Sequence, residues 1–286
     1  MITGSNLLLD IQVSYNQFTK TEKKIAEFVT KNPNQVLFMS ITDLADASNV
    51  ADASVYRFCR TMGLKGYQEF KMKLSLSIAP DEMGATQLQE SDLKVDSLEL
   101  TMDQILKNHI TALKETRMMM NADQIEKIVM LMEEARTVYF FGVGDSLLTA
   151  KAATNKFLRI SKKVAFIDDH HMQVMLASMA DERDLIFVFS YSGATKDSVE
   201  LAKISKQAGA KVVAITRFIK SPLTVYTDIV LVCGSNEGPL DGGSVGAKLS
   251  QLYIIDVLFQ EYYLRNRDVS KENRQKTSKA VVDKLY

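Results

Sequence analysis

The sequence predicts an all-α N-terminal domain followed by an α/β domain, in which a five-stranded parallel sheet carries helices on both faces. Three observations carry that reading. Residues 1–80 show only helical hydrophobic spacing. From Thr137 onward, short β-branched and aromatic runs alternate with stretches long enough for crossover helices. Between these halves, residues 81–103 have weak periodicity and an acidic bias. At 286 residues and 46% hydrophobic content, the chain can bury two cores.

In the first domain, Thr19-Lys20-Thr21-Glu22 is a capping-box pattern ahead of Ile25, Ala26, Phe28 and Val29, and Pro33 stops that helix. A second helix begins near Ser40 with Ile41, Leu44 and Ala45 inward. A third runs from about Asp52 to Met62 and ends at Gly63, and Gly66–Ser77 forms another. Residues 81–103, which follow Pro80 and contain Gly84, read as an exposed connection. A second domain spans residues 104–265. After two helices its strands are Thr137–Phe141, Val164–Ile167, Asp184–Phe189, Lys211–Thr216 and Asp228–Val232. Helices Ser146–Ser161, His170–Ala180 and Lys196–Ala208 separate the first four. Right-handed crossovers then give a doubly covered sheet of flavodoxin-like order. A half-buried helix, Ser244–Leu264, and a charged tail, residues 266–286, end the chain.

Lys+Arg and Asp+Glu both number 35, which excludes a uniformly basic nucleic-acid coat or an acidic solubilising tail. Charge is instead segregated by segment. Val50–Ser75 holds Arg57, Arg60, Lys65, Lys71 and Lys73 against Asp52 and Glu69, whereas residues 81–103 hold seven acids against Lys94. Cys59 and Cys233 are distant and lack metal-ligand spacing, so no disulfide framework, metal or cofactor is implied. Without a basic leader or a run of 18 apolar residues, the expectation is a cytoplasmic protein with no membrane partner.

The segment Leu44–Phe58 has the chemistry of helix, tight turn, helix. Asn49 tolerates the left-handed conformation that must break the first helix, Ala45 permits a close crossing, and Val50 plugs the corner. On a helical wheel, Val55, Phe58, Cys59 and Met62 face inward, while Ala53, Tyr56, Arg57 and Arg60 face outward. A recognition helix needs that cationic and aromatic face. Guanidinium groups suit guanine edges or phosphates, the Tyr56 hydroxyl suits phosphate, and Ser54 and Lys65 lie at the two ends. The same pattern alone is also that of an amphipathic helix with a solvated basic face. Residues 1–77 resemble the N-terminal domain of the RpiR family of transcriptional regulators, through Val50–Phe58 and the following Met62-Gly63-Leu64-Lys65-Gly66-Tyr67. Ala51 departs from that family, which usually has a capping serine there, leaving the cap to Asp52 or lost at a cost of about 1 kcal/mol.

In a flavodoxin-like sheet the loops after the first and third strands face one another. Here they are Gly142-Val143-Gly144-Asp145-Ser146 and Ser190-Tyr191-Ser192-Gly193-Ala194-Thr195. Both open helices, so free N–H groups and hydroxyls converge on one point, and Gly193 allows close approach of an anion. A dinucleotide fingerprint would require glycine at Leu147, and the loop Gly238–Ser244 lacks the lysine of a nucleotide P-loop. Residues 104–265 resemble the SIS (sugar isomerase) domain, a phosphosugar-binding fold whose phosphate loop Ser190–Thr195 matches. That likeness implies that Ser146, Ser190, Ser192 and Thr195 hold the phosphate, with Gly144 and Gly193 shaping the turns.

In Asp168-Asp169-His170-His171, neighbouring side chains point in different directions and cannot share one ion, so the residues read as a helix start. Asp168 and His171 remain candidate sugar contacts, with Glu237. Met118, Met119, Met120, Met130 and Met132 read as core or subunit contacts, and His109 as a surface residue. Together these readings predict a non-enzymatic transcriptional regulator governing sugar catabolism genes. It would bind a palindromic double-stranded operator as a homodimer or tetramer, under control of a phosphorylated sugar or amino sugar. The alternative is an aldose–ketose phosphate isomerase with a helical extension and Glu237 as base.

Overall fold

The computed structural model describes residues 6–78, 98–234 and 244–282. They divide into two compact units, the division falling after Leu106. The first contains α1 (Leu7–Ser14), α2 (Lys20–Lys31), α3 (Pro33–Leu37), α4 (Ile41–Ala47), α5 (Asp52–Thr61) and α6 (Tyr67–Ser77). Thr19 and Glu22 form the expected capping box on α2, and Ser40 and Asp43 form a second on α4. Pro33 does more than stop a helix: α2 ends at Lys31 and Pro33 opens α3, where a missing N–H costs nothing. The core gathers Ile25, Val29, Leu44, Val55, Phe58, Cys59, Phe70 and Leu74. Phe58 meets Phe18 and Phe70 edge-on at 5.3 and 5.9 Å.

α7 (Leu98–Met119) starts before residue 104, and its first turns belong to the first unit. The rest of the connecting segment, through residue 97, lies outside the described residues. There follow α8 (Ala122–Glu134), β1 (Thr137–Gly142), α9 (Ser146–Phe157), β2 (Val164–Ala165), α10 (His170–Met179), β3 (Asp184–Phe189), α11 (Lys196–Gln207), β4 (Lys211–Thr216), β5 (Ile229–Val232), α12 (Val245–Arg265) and α13 (Arg267–Val282). All strand pairs are parallel, in the order β2-β1-β3-β4-β5.

Strand alternation divides the core by face. Phe140, Phe187 and Phe189 pack with Ala150, Ala153 and Phe157 of α9 and with Ile254 and Leu258 of α12. Phe141, Ile186 and Val188 pack with Ala177 of α10 and Leu201 and Ala202 of α11. β2 is shorter than the expected Val164–Ile167: only Val164 and Ala165 pair with β1, and the Ile167 carbonyl accepts from Gln173 Nε2 at 2.7 Å. The methionines divide as well: Met132 is buried and Met120 packs against the core, while Met118 and Met130 are exposed. The charged tail forms α13, which docks on its own domain. Asn273 Nδ2 donates to the Ile160 carbonyl at 2.9 Å and Thr277 Oγ1 to that of Arg159 at 3.1 Å. Among the described residues no helix is long and apolar enough to cross a membrane.

Lys71 belongs to the basic segment by sequence, yet it is 6% exposed and sits in the helical core. Its Nζ donates to the Met39 carbonyl at 3.2 Å, which also accepts from Tyr67 Oη at 3.2 Å, and it lies 5.4 Å from the Tyr67 ring centre. Burial pushes the ammonium down to about 8, against the opposing charge of Asp43. The folded state therefore binds fewer protons than the unfolded chain between about pH 8 and 10.5, and this domain gains stability as pH rises through that window. Lys71→Met is expected to abolish that gain and to stabilise the domain at pH 7 by about 1–3 kcal/mol. Calorimetry at pH 7 and 9.5 checks both.

Candidate functional site

β1 and β3 are paired to their last residues, Gly142 opposite Phe189, so the two glycine loops leave neighbouring strand ends. Gly144 and Gly193 both adopt left-handed backbone, with φ of 56° and 59°. At Gly193 a Cβ would lie 2.2 Å from Ser221 Oγ and 3.1 Å from Thr216 Oγ1, so glycine is required both for conformation and for space. The segment after β4 clamps this loop. Arg217 N–H donates to the Tyr191 carbonyl and Leu223 N–H to that of Gly193, each at 2.9 Å, and Thr216 Oγ1 donates to Tyr191 at 3.1 Å.

Donors concentrate on the second loop. Thr195 is the N-cap of α11 and no side chain caps that helix. In α9, which Asp145 opens without a side-chain cap, the N–H groups of Leu147 and Leu148 turn back to the carbonyls of Gly144 and Asp145. Ser190 is 3% exposed, and its Oγ has no partner among the described residues. The same holds for Ser221 Oγ, Ser198 Oγ, His170 Nδ1 and Gln173 Oε1, all at this end of the sheet or on the helices it opens. Buried polar atoms without partners each cost about 1–3 kcal/mol, so this concentration singles out the end of the sheet as the candidate site. Ser192 Oγ accepts from Ala194 N–H at 3.3 Å, and Ser146 is half-buried at the start of α9.

The structure separates the Asp168–His171 run as expected of consecutive helical residues. Asp168 and His171 are exposed, while Asp169 caps α10 by accepting from Met172 N–H at 2.9 Å. It is His170 that is half-buried, with Nε2 at 4.0 Å from Asp197 in the first turn of α11. Gln173 Nε2 ties α10 to the end of β1 through the Gly142 carbonyl at 3.2 Å. Sequence reasoning singled out neither Gln173 nor Ser221, nor Lys248, which pairs with Asp145 at 2.7 Å beside the first loop. Glu237 and most of the Gly238–Ser244 loop lie outside the described residues.

In the first unit, Asn49 is left-handed with φ 51°, and Val50 N–H donates to the Ala45 carbonyl at 2.9 Å, closing the turn between α4 and α5. Ala51 caps α5 without a side-chain bond, and the Asp52 carboxylate accepts instead from Thr42 Oγ1 at 2.8 Å. Tyr56, Arg57, Arg60 and Lys65 are exposed. Ser54 is not: at 8% exposure its Oγ accepts from Arg57 Nη2 at 3.0 Å, so it positions the guanidinium. Arg60 Nη1 donates to the Leu64 carbonyl at 3.3 Å. Both arginines line a cleft of about 510 Å3 with Thr19, Glu22 and Thr61. Burial raises Glu22, but the Thr19 N–H, the hydroxyls of Thr61 and Thr19, and the Arg57 charge together hold it below the usual carboxylate range.

A helix-turn-helix domain ahead of a parallel α/β domain with two glycine-turned loops at neighbouring strand ends defines a class of transcription regulator. The helix-turn-helix domain of the rpiR family matches residues 5–81, and the SIS domain matches residues 131–260. An uncharacterized HTH-type transcriptional regulator of Haemophilus influenzae is 34% identical over 99% of both chains. The HTH-type transcriptional regulator HexR of Pseudomonas aeruginosa is 33% identical over 98% of this chain and 97% of its own. The chain belongs to the RpiR family and is a transcriptional regulator with helix-turn-helix and SIS domains. Among solved structures, the Vibrio vulnificus NanR protein complexed with ManNAc-6P superimposes with a TM-score of 0.87 at 28% identity, covering 98% of this chain and 99% of that one. The sugar isomerase domain of an RpiR transcription factor from Sphaerobacter thermophilus, at 19% identity and a TM-score of 0.57, covers 62% of this chain and 97% of that one and shares the fold.

Gly193→Ala is expected to destabilise the C-terminal domain by about 2 kcal/mol or more, through backbone strain and collision with Ser221. In thermal melts, Gly193→Ala with Ser221→Gly should recover the collision component but not the strain.

Proposed function

We propose that this regulator senses a phosphorylated sugar or amino sugar at the carboxyl ends of β1 and β3 and converts its binding into a change of operator affinity. The observation that carries the reading is the buried, unpartnered Ser190 hydroxyl beneath a left-handed glycine turn, next to the uncapped start of α11. A phosphate monoester supplies acceptor oxygens for such donors, and a helix N-terminus favours its charge without a lysine or arginine. Ser146, Ser190, Ser192 and Thr195 hold the phosphate, and Gly144 and Gly193 shape its seat. Sugar hydroxyls are met from the start of α10, where Asp168, His170 and His171 lie. That the similar NanR protein was solved with ManNAc-6P supports an amino-sugar phosphate.

The exposed face of α5 reads operator DNA. Arg57, held by Ser54, and Arg60 reach base edges or phosphates, and Tyr56 and Lys65 contact the backbone. A homodimer places two such helices on a palindromic site, and differential effector binding of about 1–3 kcal/mol suffices to change occupancy 5- to 150-fold. Relatives matched over nearly their whole length are regulators, so the isomerase alternative is set aside.

Calorimetric titration with ManNAc-6P and a panel of hexose phosphates should show binding that Ser190→Ala weakens about 10- to 100-fold. A melting temperature and operator affinity unmoved by every sugar phosphate would remove the sensor from this reading. Arg57→Ala is expected to weaken operator binding about 10-fold or more in anisotropy titrations and to leave effector affinity unchanged; loss of both together would contradict the separation of roles.

A further inference from the structure

The SIS domain has a second concave site, built by α9, α12 and α13. It is a cleft of about 420 Å3 lined by Lys156 of α9, Arg159 just beyond its end, Phe259 and Tyr263 of α12, and Arg274 of α13. α9 is 12 residues long, about 18 Å, and the cleft lies at its carboxyl end, whereas the glycine loops lie at its start. The site is therefore separate from the effector cradle.

Three cations converge on it. Lys156 is neutralised by Asp256 and lies 4.8 Å from the Phe259 ring centre. Arg159 and Arg274 are exposed and form no ion pair among the described residues, so two uncompensated guanidinium groups share one cleft. Their placement is built in. Asn273 and Thr277, flanking Arg274, donate to the Ile160 and Arg159 carbonyls at 2.9 and 3.1 Å, which fixes α13 against the end of α9. The lining is also aromatic, with Phe259 and Tyr263 stacked at 6.4 Å between centres and 20° between planes. Guanidinium forks match phosphate oxygens, a flat aromatic wall matches a heterocyclic base, and the volume lies in the small-ligand range.

We propose that this cleft binds a nucleoside phosphate, its phosphate between Arg159 and Arg274 and its base against Tyr263. The C-terminal helix then serves as one wall of a second ligand site. The pocket makes no demand on the sugar-phosphate reading and stands independently of it.

Titration of the full-length protein with adenosine and guanosine monophosphate tests the proposal, with inorganic phosphate and the free nucleosides as separate arms. The expected result is nucleotide binding at least 10-fold tighter than that of either part, weakened 10-fold or more by Arg274→Ala and by Tyr263→Leu. A sugar phosphate active on the parent should give the same thermal shift in both variants. Absence of nucleotide binding, equal affinity for inorganic phosphate, or affinity unchanged in Arg159→Ala/Arg274→Ala would overturn it. So would two other outcomes in that double variant: loss of duplex DNA affinity, which assigns the patch to nucleic acid, or a change of mass in solution, which assigns it to a second copy of this chain.

Discussion

The parallel pairing of β1 with β3 is the constraint on which the arrangement of the two glycine loops depends. Because the chain enters the sheet at β1 and later passes to its other side, α9 and α11 leave adjacent strand ends onto opposite faces. The loops that join them to the sheet, Gly142–Asp145 and Ser190–Thr195, therefore lie side by side at that edge. The post-β4 segment then fixes the second loop through backbone bonds to Tyr191 and Gly193 and through the contact of Ser221 beneath it. The second loop is thus held by contacts of the fold itself, an arrangement that lowers the ordering cost of the binding proposed above.

The helical domain follows the same logic with side chains. Phe58 and Cys59 anchor one side of α5 in the core, so Tyr56, Arg57 and Arg60 must face out. Ser54 and the Leu64 carbonyl restrict where the two guanidinium groups can go, and the acid Glu22 lies in the same cleft. Each arginine is therefore partly ordered in the free protein, which favours geometry-dependent recognition over diffuse charge attraction.

Much of this was legible in the sequence because local chemistry agreed with the global fold. The left-handed Asn49, the Thr19–Glu22 capping box, the five strands and their order, and the two glycine turns all follow from residue types at fixed spacing. What escaped was set by tertiary neighbours. Nothing local distinguishes His170 from His171, and only the packing of α10 beside α11 brings the first toward Asp197. Ser221 is 28 residues from Gly193 in the chain and meets it because β3 and β4 are adjacent. Lys71 reads as surface charge until the helices are assembled around it, and the early arrival of α7 within an acidic stretch was hidden by its weak apolar stripe. Sequence periodicity records which face is buried, not which distant group will be there.

One consequence lies in the two buried cysteines. Cys59 is sealed in the helical core and Cys233 in that of the sheet, both at 0% exposure, and burial pushes the Cys59 thiol up to about 12. Thiolate is the form that reacts with alkylating reagents, so neither sulfur is available until its own half of the chain breathes. Labelling kinetics followed site by site would therefore time the opening of the helix-turn-helix domain and of the SIS domain as two clocks within one unmodified molecule.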